Sequence, residues 1–366
     1  MARILGFFPE NDLALADYNP GYTPPRAAVH LRESGSLLPL WLAGPDDYVL
    51  VPREQRDAAR MLKERFGLDG APVSGLGGIN GSFAPWGWSP YTARVYQKRG
   101  IHPDLVPSEF ELEIIREASH RRSSIFLNEG CDATCPVVAY TWQEAVEAIR
   151  QNPQGSILKS PWSSSGRGIM AVGCNDACKA ATFIEGCIRH QGSVMIERRL
   201  EKIADFALLF DVEGVKARFS AISLFFVEHG SAYIGNVVAP QQYIHDYLAK
   251  AAGVDSLQPL IARTETRFNE FLRRYSNDTY HGPAGIDMMV YASPDDGSPK
   301  IAPCVELNLR CTMGVVATAV ARHIQPSAPM IMSVGPRQPL APDAIDISGI
   351  PDSRFSITLN NLHSEK

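Results

Sequence analysis

The sequence predicts a mixed α/β and α+β protein, in which a small α/β domain precedes a larger region of helices and strands. The first 105 residues alternate apolar strands with a helix. Helices with clear N-terminal capping signals then alternate with short strands, and from about residue 205 strands dominate. A chain of 366 residues is long enough for two or three domains of ordinary size.

The N-terminal segment predicts a small parallel sheet. Strands at 4–8 ("ILGFF") and 47–51 ("DYVLV") are followed by a helix at 54–67. The stretch "GLGGING" (75–81) does not match the dinucleotide fingerprint, because Asn80 occupies the third glycine position and the stretch does not follow the first strand. We therefore expect a loop there, which disfavours a Rossmann-type dehydrogenase.

The middle of the chain predicts three helices from their first turns. Capping boxes begin the helices at 107–119 and 141–152, and Asn175 is the predicted N-cap of a helix at 175–190. These helices supply the alternation expected of an α+β lobe. Short strands lie between and after them, at 156–160, 168–172 and 193–197.

The last third is rich in strands. A polar helical stretch at 243–276 interrupts them, and the Pro-rich tail after 324 is expected to wrap the surface. The predicted strands lie at 206–212, 219–228, 231–238, 284–291 and 301–309.

Composition excludes several classes of partner. The formal net charge of -5 offers no electrostatic case for nucleic acid. The longest apolar runs, such as "LFFV" at 224–227, are strand-sized, so no membrane helix is expected, and the N-terminus predicts a strand instead of a signal peptide. Seven cysteines with four-residue spacings favour reduced thiols in a cytoplasmic protein over a zinc site.

The stretch "LKSPWSSSGRG" (158–168) combines a strand lysine with a loop of serine and glycine. Backbone N–H groups of such a loop can approach an anion, and Lys159 supplies a point charge suited to phosphate. No G-K-[ST] follows the glycines, so this is not a Walker A loop. The alternative interpretation is a flexible hairpin with a snorkelling lysine.

Glu197 closes the strand in "VMIERRL" (194–200). A strand edge that stops pairing can offer its backbone to an adenine base, with Glu197 near the exocyclic amine. A solvated strand end remains the alternative.

A late pair of strands carries the most informative pattern. Glu306 and Asn308 are two apart in "VELNLR", so their side chains share one face of a strand, and a hairpin can place Asp287 of "GIDMMVY" beside them. Two carboxylates and an amide oxygen are hard ligands of the kind Mg²⁺ uses with nucleotide phosphates. Arg310 continues the row and can bind phosphate or carboxylate. The alternative is a solvent-facing strand.

The order of these motifs resembles the ATP-grasp superfamily. The order is a lysine strand, a Ser/Gly loop, a hinge Glu, a late Asp, and E-x-N-x-R followed by "TMG" (312–314). The resemblance covers about residues 105 to 325 and implies two α+β lobes that clamp ATP, preceded by a small Rossmann-like pre-ATP-grasp domain. The implied domains are 1–105, the N-terminal lobe 106–192 with its lid loop 163–168, the C-terminal lobe 193–325, and a Pro-rich extension 326–366.

The resemblance also implies a role for each matching residue. Lys159 would contact the α- and β-phosphates, the 163–168 loop would close over the γ-phosphate, and the 197–200 segment would hold adenine. A basic residue expected early in the domain is supplied by Arg121 or Arg122. The implied nucleotide-binding residues are Lys159, Ser163, Ser164, Ser165, Gly166, Arg167, Gly168, Glu197, Arg198, Leu200, Asp205 and Arg122.

Asp287, Glu306 and Asn308 would hold Mg²⁺, with Mn²⁺ as an alternative, and Arg310 would act catalytically together with Lys159. The implied function is an ATP- and Mg²⁺-dependent ligase that activates a small-molecule carboxylate as an acyl phosphate for an amine or, less readily, a thiol. A kinase-like phosphoryl transferase and a non-catalytic nucleotide-binding protein are the alternatives. Dimers are common among such enzymes, but the sequence leaves open whether this chain is a monomer or a homodimer.

Substrate clues lie in the first domain. Asn11 in "PEND" follows the first strand, where such domains often meet their ligand. Trp86 and Trp88 form two indoles in a Gly/Pro turn, and we expect them to be exposed. They would either line a substrate pocket or plug a domain interface. Gly285, two residues before Asp287, argues against a close relation to D-alanine–D-alanine ligase.

Overall fold

The computed structural model describes residues 2–131, 133–163, 168–228 and 232–362. The N-terminal segment forms the predicted small parallel sheet, and the structure shows four strands in the order β3-β2-β1-β4. Loops follow the carboxyl ends of its strands, and those after β1 and β4 face the rest of the chain. The strands are β1 (Arg3–Gly6), β2 (Tyr48–Leu50), β3 (Ala71–Val73) and β4 (Ser82–Pro85).

Helices cover this sheet and continue into the next segment. The predicted capping box of Ser108 and Glu111 is present, with the Ser108 N–H donating to Glu111 Oε2 over 2.7 Å. The helices are α1 (Asn11–Asp17), α2 (Arg26–Ser34), α3 (Arg56–Phe66), α4 (Pro90–Lys98), α5 (Glu109–Ala118) and α6 (Ser123–Leu127), with 3-10 turns at Leu38–Leu42, Arg53–Gln55 and Pro103–Leu105.

A second, antiparallel sheet builds a small lobe in the order β5-β8-β6-β7. Helices α7 (Trp142–Arg150) and α8 (Ala181–Gln191) cover it, and the predicted Thr141 capping box begins α7. The N-cap prediction at Asn175 is wrong: a 3-10 turn at Ala177–Ala180 comes first, because Lys179 N–H bonds to Asp176 O. The strands are β5 (Val137–Ala139), β6 (Ser156–Lys159), β7 (Ile169–Val172) and β8 (Val194–Arg198).

An eight-stranded sheet dominates the remainder, in the order β13-β12-β9-β10-β11-β14-β16-β15. One face carries Phe206, Leu208 and Phe210, and the ring of Phe210 lies 5.3 Å from that of Phe268 on a covering helix. The predicted helical stretch at 243–276 is two helices. The elements are β9 (Glu201–Glu213), β10 (Lys216–Glu228), β11 (Ala232–Val238), α9 (Gln241–Ala251), α10 (Gln258–Tyr275), β12 (His281–Ala292), β13 (Pro299–Asn308) and α11 (Met313–Ile324).

The tail after 324 differs from the expectation that it wraps the surface. Its strands β14 (Met330–Pro336), β15 (Ile345–Asp346) and β16 (Phe355–Asn361) complete the large sheet, and β14 pairs with β11. Met332 and Leu359 are fully buried. The prolines end strands or lie in loops, while the strands themselves carry the apolar residues. None of the helices in the described parts of the chain combines the length and apolar character needed to cross a bilayer.

Candidate active site

A cleft separates the small lobe from the large sheet. It consists of two adjoining cavities of about 820 Å³ and about 260 Å³ that share Asp205 and Glu306 in their walls. Cavities of this size accommodate a small-molecule ligand. The larger cavity is lined by Lys159, Glu197, Arg198 and Leu200, and the smaller by Arg121, Ser163, Asp287, Asn308 and Arg310.

Lys159 ends β6 with its side chain buried in the cleft wall. Its ammonium donates to Glu197 Oε2 over 2.7 Å and to the carbonyl of Val305, on the large sheet, over 3.2 Å. Glu197 lies on the neighbouring strand β8, and its other oxygen, Oε1, is buried without a hydrogen-bond partner. A buried carboxylate oxygen without a partner is unfavourable, so this corner is suited to a polar ligand.

The segment after β8 forms one wall of the larger cavity. The N–H groups of Arg198 and Arg199 already donate to the carbonyls of Thr134 and Gly155, so neither is free for a base. Asp205 lies on β9, where burial raises the pKa of its carboxyl and Lys202 Nζ lies 2.6 Å away. The predicted hinge residues therefore do line the cleft, but two of their N–H groups are occupied.

The three predicted metal ligands meet on one hairpin. Asp287 on β12 is the direct cross-strand neighbour of Glu306 on β13, and Asn308 Nδ2 donates to Asp287 Oδ2 over 3.1 Å. Burial, and then the charge of Glu306, raise the pKa of Asp287 from 3.8 to about 7. Facing carboxylates repel each other in a buried site, and a divalent cation would relieve this repulsion.

These donors fit a hard cation such as Mg²⁺, because they offer two carboxylates and one amide oxygen. In the described ranges no group of three or more His, Cys, Asp and Glu side chains comes together. The predicted set instead combines two carboxylates with the amide oxygen of Asn308.

Arg310 lies beyond the end of β13 and is held by a side chain of the N-terminal segment. Its Nε donates to Asp12 Oδ1 and Oδ2 over 2.8 and 2.9 Å, and its Nη2 lies 2.7 Å from Oδ2. The sequence prediction missed Asp12 and selected its neighbour Asn11. The amide nitrogen of Asn11 instead faces the carbonyls of Gly87 and Trp88, at 3.1 and 3.2 Å, so Asn11 holds two loops together.

Arg121, and not the predicted Arg122, reaches the cleft. Arg121 donates to the carbonyl of Ser160 over 2.6 Å, to Ser163 Oγ over 2.7 Å and to Glu306 Oε1 over 2.9 Å. Arg122 points outward and pairs with Glu117. From the sequence of two adjacent arginines alone, it could not be predicted which side chain enters the cleft and which points to solvent.

His120 helps to fix the turn that directs Arg121 inward. Its Nδ1 accepts the Arg122 N–H over 2.9 Å, and its ring packs edge-on against Trp162 at 4.7 Å. Burial, followed by the neighbouring arginines, lowers the pKa of His120 to about 3, so the ring is neutral at pH 7.

Trp86 and Trp88 are buried, so the expectation of exposed indoles is wrong. Trp86 packs edge-on against Phe7 at 4.7 Å, and its carbonyl accepts the Cys311 N–H over 2.7 Å. Both indoles also line a separate cavity of about 450 Å³ between the N-terminal sheet and α11. The substrate-pocket and domain-interface interpretations of the two indoles both stay predictions.

The described ends of the Ser/Gly loop are anchored. Ser160 N–H donates to the carbonyl of Gly168 over 2.8 Å. Gly168 has a φ of 66°, and a Cβ there would lie 2.6 Å from Ser160 Oγ, so glycine suits this position. Four predicted loop residues, Ser164, Ser165, Gly166 and Arg167, lie outside the described residues.

The three sheets and the cleft between them constitute the ATP-grasp fold, which confirms the sequence prediction. The chain resembles N5-carboxyaminoimidazole synthetase from Staphylococcus aureus complexed with ADP, with a TM-score of 0.56, 12% identity, and coverage of 100% of this chain and 94% of that one. It also resembles phosphoribosylamine–glycine ligase from Thermotoga maritima, with a TM-score of 0.50, 14% identity and coverage of 99% and 90%. No protein-family model and no curated protein matches the sequence.

Proposed function

We propose that this protein is an ATP- and Mg²⁺-dependent ligase that activates a carboxylate as an acyl phosphate for attack by an amine or a thiol. The observation that carries the proposal is the convergence of Asp287, Glu306 and Asn308 beside the cleft that Lys159 and Glu197 line. The two similar structures are a synthetase complexed with ADP and a ligase, and their likeness in fold supports the same use of the cleft.

The larger cavity would hold the nucleotide. Lys159 uses two of its three ammonium donors on Glu197 and Val305, so one remains for a phosphate oxygen. The unpartnered Oε1 of Glu197 would accept from the adenine amine, and Asp205 would accept from the ribose hydroxyls. Since two N–H groups of the 198–199 segment are occupied, the base would use its remaining backbone groups.

Asp287, Glu306 and Asn308 would hold Mg²⁺, with Mn²⁺ as a substitute. When bound, the cation would neutralise charge that develops on the transferring phosphoryl group. Arg121 bonds Glu306 and Ser163 at once, so it lies where it can contact phosphate oxygens. Arg310 lies next to Asn308 on the side of the N-terminal domain and would orient the substrate carboxylate or the transferring phosphoryl group.

The proposed reaction has two balanced steps. A carboxylate oxygen of the substrate attacks the γ-phosphorus, and the bond to the β-phosphate oxygen breaks to release ADP. The amine or thiol then attacks the carbonyl carbon, inorganic phosphate leaves, and the nucleophile loses one proton. The small-molecule partners and a cytoplasmic location stay predictions, and a homodimer stays an open alternative.

The test is a screen of ADP release with amino acids and small dicarboxylates, each paired with amines and thiols. The proposal expects a pair that releases ADP and inorganic phosphate in equal amounts together with a condensed product. ADP release with a stable phosphorylated product and no free phosphate would instead show a phosphoryl transferase. ATP turnover at background with every pair would favour a nucleotide-binding protein.

A further inference from the structure

The guanidinium of Arg310 is held by a carboxylate from another domain. Asp12 lies 298 residues earlier, in the first turn of α1, and accepts the Nε N–H of Arg310, while its Oδ2 also lies 2.7 Å from Nη2. Nη1 donates to the carbonyl of Cys311 over 3.2 Å. A guanidinium has five N–H donors, so donors remain on Nη1 and Nη2 for other partners.

The backbone beside Arg310 is restrained by the loop after β4. The Cys311 N–H donates to Trp86 O over 2.7 Å. A Cβ on Gly87 would lie 3.0 Å from Arg310 Cβ and 2.6 Å from the Asn11 amide, so the loop approaches this closely only with glycine. The loops after both β1 and β4 therefore contact the end of the E-x-N-x-R motif.

Arg310 has little free space on the side of Asp12, whereas its other side borders the cavity of about 260 Å³. The space that Asp12 and Arg310 share with Ser163, Glu306 and Asn308 measures about 10 Å³, about enough for one water molecule. Asp12 and Arg310 are largely shielded, with side-chain exposures of 14% and 16%. Burial acts to lower the pKa of Arg310, but the charge and hydrogen bond of Asp12, together with the charges of Glu306 and Asp287, raise that pKa above its usual value, so the guanidinium stays protonated.

We propose that Asp12 is a positioning residue, which holds Arg310 so that its remaining N–H groups face the cleft. The proposal rests on the proposed function and extends it, because it makes the N-terminal domain part of the reaction centre. Supporting contacts that lock the rotamer of a functional side chain typically decide how well it is aligned. A residue that merely joined the domains would affect stability without acting through Arg310.

The test compares Asp12→Asn, which is isosteric but uncharged, with Asp12→Glu, which keeps the charge. Asp17→Asn, an exposed acid on the same helix, is the matched control. For an acid that stimulates ADP release, we expect Asp12→Asn to lower kcat/KM about ten-fold or more, Asp12→Glu to recover part of the loss, and MgADP affinity to change less than two-fold. Equal kinetics in Asp12→Asn and the unaltered protein would overturn the proposal.

A double-mutant cycle with Arg310→Lys separates positioning from a structural role. If Asp12 acts through Arg310, the double variant loses little more than Arg310→Lys alone. If the losses in kcat/KM of the two single variants multiply in the double variant, the positioning role of Asp12 is refuted. Should Asp12→Asn fail to fold in thermal unfolding, Asp12→Glu takes its place in the cycle with the same expected non-additivity.

A spectroscopic measurement keeps this proposal separate from the proposed function. In ¹⁵N-arginine-labelled full-length protein, we expect a slowly exchanging Nε–H resonance that Arg310→Lys removes and Asp12→Asn shifts or broadens. An unchanged resonance in Asp12→Asn rejects positioning, whatever the turnover assays show. If no acid stimulates ADP release but the resonance responds as expected, the proposed function fails while the restraint on Arg310 stands.

Discussion

The small lobe and the rest of the molecule are built differently. The lobe has its own apolar core, with Leu158, Ile184 and Ile196 at its centre. The N-terminal sheet and the large sheet instead share one continuous core, which runs from Ile4 to Leu359. Helices α5 and α6 join the shared core through residues such as Ile115 and Leu127, although they precede the lobe directly in sequence.

Polar contacts connect these two regions around the cleft. Lys159 reaches the Val305 carbonyl, and Arg121 bonds both Ser160 of the lobe and Glu306 of the large sheet. Trp162 adds a hydrogen bond to the Arg116 carbonyl over 3.0 Å. The two regions thus have separate cores and meet at a polar junction around the cleft. The lobe supplies Lys159 and Glu197 to the cleft, while the large sheet supplies Asp287, Glu306 and Asn308.

The variant with the largest expected effect changes a residue of the large sheet. We predict that Glu306→Gln lowers Mg²⁺-dependent ADP release about 100-fold or more, because it removes a charged metal ligand while preserving shape. Glu213→Gln, an exposed carboxylate in the same sheet, is the control and should leave turnover unchanged. Normal ATP turnover in Glu306→Gln would refute the metal assignment, and circular dichroism should show an intact fold.

The variant with the second largest expected effect changes a residue of the small lobe. We predict that Lys159→Ala weakens ATP binding about ten-fold or more, because a charge-assisted hydrogen bond to phosphate is lost. Calorimetric titration measures the affinity, and Lys300→Ala, an exposed strand lysine, serves as the control. Since Lys159→Ala also leaves Glu197 without its partner, Lys159→Ala/Glu197→Gln should regain stability without regaining affinity. Unchanged affinity in the single variant would contradict the phosphate role.

The junction provides a matched pair of adjacent arginines. We predict that Arg121→Ala lowers ATP affinity several-fold, since its contacts to Ser163 and Glu306 are lost, whereas Arg122→Ala changes it less than two-fold. The same titration compares the two. Equal effects, or a larger effect of Arg122→Ala, would show that the junction is arranged differently.

The smallest effect is a pH-dependent stability. The folded protein holds the pKa of Asp287 at about 7, through burial first and Glu306 second, against 3.8 for an ordinary aspartate. Asp287 therefore favours folding most at low pH, and this contribution is lost as pH rises through 7. We predict that metal-free Asp287→Asn melts a few degrees above the unaltered protein at pH 8, and that the gap narrows at pH 5.

Thermal unfolding at both pH values, with and without MgCl₂, checks this last prediction. Mg²⁺ should stabilise the unaltered protein at pH 8 and have a smaller effect on Asp287→Asn. A gap of the same size at pH 5 and pH 8 would contradict it.

Much of the fold was predictable because its signals are local. Capping boxes at Ser108 and Thr141 were confirmed, since the partners in each box are three residues apart. The strands of the tail were missed because the prolines around them dominated the composition. The first of them, β14, pairs with β11, a partner almost 100 residues earlier in the chain.

The sequence by itself determined which side chains share a strand face, because the two-residue period of a strand requires no tertiary information. Glu306 and Asn308 follow from that period, and their neighbour Asp287 follows from one hairpin. Only the tertiary structure decided that Arg121 turns inward, that the indoles of Trp86 and Trp88 are buried, and that Asp12 meets Arg310. Each of these depends on packing between segments distant in sequence, and no local pattern encodes the direction of such a contact.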